Sequence, residues 1–185
     1  MNTLLRWEKG TFSSTCRIYS GEKMLGELKD HSFKQISEGM IRNQPYRFKT
    51  KGFFGQMTQI IDGKNDRVIG NISYKSWKTK ATILLEDRVF SWKYDNGWQT
   101  KWSIFDDDHI YMKFAGKLSR GTIESEEEND LLVLTGLFVT NDYQQAMAAI
   151  IIAVFIPIWL SAIKSPIHSA TTPQGWLLLP CMNGS

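Results

Sequence analysis

The chain has 185 residues, with 22 lysines and arginines against 19 aspartates and glutamates and a net charge of +3 at pH 7. That length suits one domain with appendages and a real core, and so slight an excess of cations, spread among charges of both signs, leaves no electrostatic footprint for nucleic acid. Beyond Asp130 the formal charges are Asp142 and Lys164, so a charged head precedes an apolar tail.

The opening MNTLLRWEKG sets two leucines before Arg6, Glu8 and Lys9, too short an apolar core for a signal peptide. The head is therefore expected on the cytosolic side. Cys16 and Cys181 stand in unrelated contexts, with neither metal-ligand spacing nor a disulfide framework, and read as free thiols. Cys181 also misses the prenylation position by one residue, and the sequons at Asn71 and Asn183 matter only in a secretory lumen.

Residues 1 to 125 show short alternating runs separated by turn chemistry and no sustained helical period. Leu4 to Lys9, Thr15 to Tyr19, Lys23 to Leu28, Pro45 to Lys49 and Met57 to Ile61 are expected strands, with Ser20-Gly21 and Asp62-Gly63-Lys64-Asn65 as turns. Val68 to Tyr74 alternates, with Val68, Gly70, Ile72 and Tyr74 on one face, and Gly70 marks a bend or a close approach. Ala81 to Leu85 and Val89 to Tyr94 are joined at Glu86-Asp87-Arg88.

The next turn, Asp95-Asn96-Gly97, is read as a three-residue loop with Gly97 in the left-handed region. It pairs Tyr94 with Trp98, Trp92 with Thr100 and Phe90 with Trp102, which puts Phe90, Trp92, Tyr94, Trp98 and Trp102 on one face as a core ladder. A base-stacking platform would need a flanking basic patch or an RNP motif, and neither accompanies it. Ile110, Met112 and Phe114 are expected to face inward on the strand that follows.

Chemistry-bearing patterns are sparse. Asp106-Asp107-Asp108-His109 reads as a solvated turn, since the calcium-loop pattern is absent. His31, His109 and His168 accompany no nucleophile motif, and Gly52-Phe53-Phe54-Gly55 lacks the Gly-Lys-Ser/Thr ending of a phosphate loop. The expectation is a protein with no catalytic residues, no metal site and no cofactor. Lys75, Trp77, Lys78 and Lys80 form the best basic and aromatic cluster, either a solvated strand edge or a contact for anionic lipid.

The acidic run Glu124, Glu126, Glu127, Glu128 and Asp130 leads into two apolar runs, with Asn129 or Asp130 placed to cap a helix. Leu131 to Val139 is apolar all round and belongs inside protein, either as a helix or as a last buried strand. Ala146 to Ile163 would make a helix of about 27 Å, close to the roughly 30 Å of a bilayer interior. Between them lie Thr140-Asn141-Asp142 and Gln144-Gln145.

Many short strands with glycine-bearing and Asp/Asn-bearing turns, followed by DLLVLTGLFVTND, resemble the tubby C-terminal-like superfamily, which includes the LURP-one-related proteins and the phospholipid scramblases. The resemblance covers roughly Met1 to Tyr143. It implies a mainly β fold: a closed antiparallel barrel of about twelve short strands around a central hydrophobic helix near residues 130–140. A barrel interior is filled once, so the second run needs another apolar solvent.

Residues 144–164 are therefore expected to form a C-terminal hydrophobic helix in a membrane, marked by Ala146, Ile150, Phe155, Pro157 and Trp159, with residues 165–185 a poorly ordered tail. Proline is tolerated in such a helix. The expected function is a non-enzymatic, membrane-associated lipid-binding or scaffold module. Its barrel would sit on the cytosolic side, its partners would be membrane lipids, anionic ones included, and it would bind no nucleic acid. The alternative is a soluble cytoplasmic binding or scaffold protein with both runs buried in a core or an oligomer interface.

Overall fold

The computed structural model describes residues 3–10, 13–31, 35–51, 57–75, 79–107, 109–117 and 119–163, with side chains described as far as residue 160. The expectations for Gly52 to Gly55, Trp77, Lys78, Asp108, His168, Cys181 and the tail 165–185 lie outside these residues. By internal contact the chain divides into Met1–Ala146 and Met147–Ser185.

Alternation and turn chemistry cut the first unit into twelve antiparallel strands. They are β1 (Thr3–Lys9), β2 (Thr15–Ser20), β3 (Lys23–His31), β4 (Ile36–Ile41), β5 (Gln44–Lys51), β6 (Met57–Asp62), β7 (Val68–Lys75), β8 (Lys80–Leu85), β9 (Arg88–Tyr94), β10 (Lys101–Asp106), β11 (His109–Lys117) and β12 (Arg120–Ser125). Each pairs with its neighbours in sequence, and β12 closes on β1 with Leu5 opposite Ile123. The result is a closed meander without free edges.

Inside it runs the start of α1 (Asp130–Ile163). Asn129 Oδ1 accepts the Leu132 backbone N–H at 3.0 Å and so caps the helix. Leu132 to Val139 are all buried, and Phe138 stacks on Phe48 with ring centroids 4.5 Å apart. The interior threonines turn their hydroxyls back on the helix: Thr135 bonds the Leu131 carbonyl and Thr140 that of Gly136. A methyl group on Gly136 would collide with the Phe114 ring, so glycine here lets helix and wall approach. The first apolar run is thus a helix filling the barrel, as the resemblance implies, and α1 runs unbroken through residues 141–145.

Several strand expectations hold, and the departures have physical causes. β4 and β12 have weak sequence signals because two of the three inward positions on each are small: Ser37 and Gly39 beside Ile41 on β4, Gly121 and Ser125 beside Ile123 on β12. Gly39 lies directly against Leu134 of the helix, so room for the helix erases the apolar alternation. Gly70 is a close approach, as its sequence context suggests, with space for a side chain blocked by Leu85 Cδ2 at 2.7 Å.

The expected hairpin register after β9 is wrong. The connection spans residues 95–100, and Trp102 lies opposite Tyr94 while Ile104 lies opposite Trp92. Asn96 organises the longer loop, its Oδ1 accepting the N–H groups of Thr100 and Lys101 at 3.0 and 3.1 Å. Gln99, at φ 56°, takes the left-handed conformation assigned to Gly97. Phe90, Trp92 and Trp102 are buried in the core as expected, but Trp98 is 88% exposed on the loop. Ile110 also departs: a bulge at Ile104/Phe105 shifts the register at the start of β11, and Ile110 is exposed whereas Tyr111 is buried.

Candidate functional site

Among the described residues the barrel interior is filled by buried side chains of the wall and of the helix. Among the described residues its best cavity, lined in part by Trp7, Cys16, Trp102 and Leu137, holds about 30 Å³. That is room for about two waters, against roughly 300–1,000 Å³ for small-molecule sites. Burial pushes the Cys16 thiol up to about 12, with Lys9 opposing the shift, so this sulfur is a poor nucleophile. Candidate function therefore lies on the two ends of the barrel and on the second unit.

In a meander the connections alternate between ends. One end carries tight turns, including Arg42-Asn43, where both residues have positive φ, and Glu86-Asp87. Here α1 begins. Arg42 bridges Glu128 at 3.3 Å and Asp130 at 3.4 Å, and its bond holds the Glu128 carboxyl below the usual range. Burial, the larger effect, instead raises Asp130. Arg88 reaches Asp106 and Glu127, Tyr111 donates its hydroxyl to Asp106 at 2.8 Å, and His109 lies 3.4 Å from Glu126. These acids are engaged in ion pairs, and among the described residues no group of three or more His, Cys, Asp or Glu side chains could hold a metal.

The opposite end carries the loops after Lys9, His31, Lys51, Lys75, Tyr94 and Lys117. The polar stretch 140–145 of α1 meets the barrel wall here. Asp30, buried on β3, accepts Ser37 Oγ at 2.9 Å and Asn141 Nδ2 at 2.8 Å, and also binds Gln145 Nε2. Lys9 Nζ donates to Asn141 Oδ1, and Gln99 Nε2 to the Tyr143 hydroxyl at 3.3 Å. Burial, reinforced by the Asp142 charge, raises Tyr74 well above a normal tyrosine. The interruption between the apolar runs is therefore a collar that fixes the helix to the wall, a role that sequence reading missed because its partners are far away in the chain.

Outside this collar the strand ends are cationic. Lys75 lies directly opposite Lys80, and Lys80 directly opposite Lys93, on neighbouring strands. All three are exposed. The structure thus brings together Lys75 and Lys80 of the sequence-predicted cluster and adds Lys93, which only the strand register could have revealed. Lys51, Lys101 and Lys117 are exposed at the same end.

From Asp130 to Leu160, α1 is long and apolar enough to cross a membrane by length and composition. Of the predicted membrane-helix residues, Ala146 is half-buried, whereas Ile150, Phe155, Pro157 and Trp159 are exposed. Pro157 lies inside the helix.

A twelve-stranded antiparallel barrel closed around its own C-terminal helix is the class of protein that this geometry defines. The X-ray structure of a protein from Arabidopsis thaliana shares the fold, with a TM-score of 0.52 at 11% identity over 74% of this chain and 88% of that one. No protein-family model matches the chain, and no curated protein matches it.

Proposed function

We propose that this protein is a non-enzymatic lipid-binding or scaffold module of the tubby, LURP-one and scramblase type, held at a membrane by residues 146–163 with its barrel on the cytosolic side. The observation that carries this reading is the contrast within α1. Leu132 to Val139 are buried in the barrel, whereas Ile150, Val154, Phe155, Ile158 and Leu160 are each more than two-fifths exposed. Apolar exposure on that scale marks a surface that meets lipid or protein. A bilayer suits it, because no soluble face alternates with it along the run.

The tubby-like part of the reading draws on the helix-filled barrel, and the non-enzymatic part on the small cavity and the absence of a convergent reactive cluster among the described residues. A second copy covering the same helical run is the alternative, because an oligomer interface would bury the same side chains. Full-length chain and a chain ending at Ala146, which keeps the whole collar, separate the two readings. Full-length protein should resist carbonate extraction and float with vesicles, while the shortened chain stays soluble and melts cooperatively. A full-length chain that remains soluble as a discrete oligomer would favour the soluble scaffold and remove the membrane.

A further inference from the structure

We infer that the loop-bearing end of the barrel, centred on Lys75, Lys80 and Lys93, is the face that lies on an anionic bilayer surface, with the acidic tight-turn end directed away from it. The inference rests on the membrane reading above and adds the orientation of the barrel and the lipid charge that it reads.

Three observations within the first unit support it. The balance of charge differs by end: the exposed lysines 51, 75, 80, 93, 101 and 117 outnumber the exposed acids at the loop end, Asp95 among them, whereas at the other end Glu86, Asp87, Asp107, Glu126, Glu127 and Glu128 outweigh Lys23, Arg42, Lys64, Arg67 and Arg88. Ordinary soluble surfaces intersperse the two signs. Among the described residues none of those six lysines pairs with a carboxylate, while Arg42 and Arg88 at the other end are held in ion pairs.

Second, Lys75, Lys80 and Lys93 stand opposite one another across adjacent strands. Directly opposed like charges destabilise a sheet, and an anionic partner would turn that repulsion into binding. Third, Trp98 is 88% exposed at this end, whereas the exposed aliphatic side chains Leu4, Met24, Met40, Val68 and Val89 lie toward the other, and an exposed indole suits the headgroup region.

The cytoplasmic leaflet carries anionic lipid, and each lysine close to it is worth about five-fold in partitioning. Nucleic acid would meet the same charge, but among the described residues Trp92 and Trp102 face the core and do not offer a stacking ladder to bases.

The test uses the full chain with Cys181→Ser, in which Cys16 is buried, carrying a fluorophore at Trp98→Cys or at Asp87→Cys. Each is added to phosphatidylcholine vesicles with or without phosphatidylserine, both containing a quencher on the lipid headgroup. The Trp98 label should be quenched several-fold more than the Asp87 label. Phosphatidylserine should strengthen the effect, and Lys75→Glu, Lys80→Glu and Lys93→Glu together should abolish that gain. Equal quenching at both labels, stronger quenching at Asp87, or indifference to phosphatidylserine and to the triple variant would overturn the orientation while leaving the anchor intact if the protein still floats. Failure to float with either vesicle would overturn the membrane reading and this one together. Stronger competition by single-stranded DNA than by the vesicles would assign the face to nucleic acid instead.

Discussion

The two apolar runs of α1 have similar composition and opposite surroundings. Leu131 to Val139 are enclosed by twelve strands, and the wall is fitted to them: Gly39 makes room for Leu134, Phe48 stacks on Phe138, and Gly136 accepts the Phe114 ring. Ile150 to Leu160 leave most of their large side chains about half exposed. The difference teaches that hydrophobicity alone does not assign a helix to a core. What assigns it is complementary smallness elsewhere in the chain, and the barrel supplies that for one run.

The strongest way to break this comparison is to truncate a large side chain in each run. Phe138→Ala removes a buried ring and leaves a cavity against Phe48, which should cost about 3–5 kcal/mol. Chemical denaturation of the chain ending at Ala146 measures it. Ile152→Ala, at 56% exposure, should change the barrel's stability by no more than about 0.5 kcal/mol, measured in the full-length protein. Equal losses at the two positions would mean that the second run is also core, and the membrane reading would fail.

The collar is the boundary between the two regimes, and its loss should be the next largest effect. Asn141→Leu keeps the helix and its volume but withdraws the donor from Asp30 and the acceptor from Lys9. Leaving a buried carboxylate short of a partner should cost about 1–3 kcal/mol. Protection of the Tyr143 region against hydrogen exchange should fall with it. An unchanged melting temperature would show that packing alone retains the helix.

Much of the architecture is legible in the residues: the turn chemistry, the inward Gly70 and Ile72 of β7, though Val68 is exposed, and the aromatic core of β9. The losses share a cause. Ser37, Gly39, Gly121 and Ser125 face the interior but are small; Gly39 leaves its space to Leu134 of the helix and Gly121 leaves its space to Trp7. Reading from local pattern alone therefore passed over β4 and β12. The Trp98 misplacement arose where an Asn side chain, and not a glycine, set the loop length. The lysine row was half visible as Lys75 and Lys80, but Lys93 joins it only through register across β8 and β9.

The smallest expected effect concerns the wall beside the first run, where Cys16 lies buried. Its thiol ionises near 9.0 in the unfolded chain and about 12 in the fold, chiefly because burial penalises the thiolate. A raised folded value means that the contribution is fully present below pH 9.0 and is lost as pH climbs towards 12. Between pH 8 and pH 10 the loss should be about 1.4 kcal/mol, one proton's worth over one pH unit above the unfolded value. Cys16→Ala should flatten that part of the stability profile. Tyr74 and Tyr94, both raised mainly by burial, would preserve a decline at higher pH. Denaturant titrations of both chains at the two pH values provide the measurement, and an equal slope in each would place Cys16 in a wetter environment than its burial implies. The exposed run carries no ionisable side chain between Met147 and Ile163, so these residues add no titration to the profile.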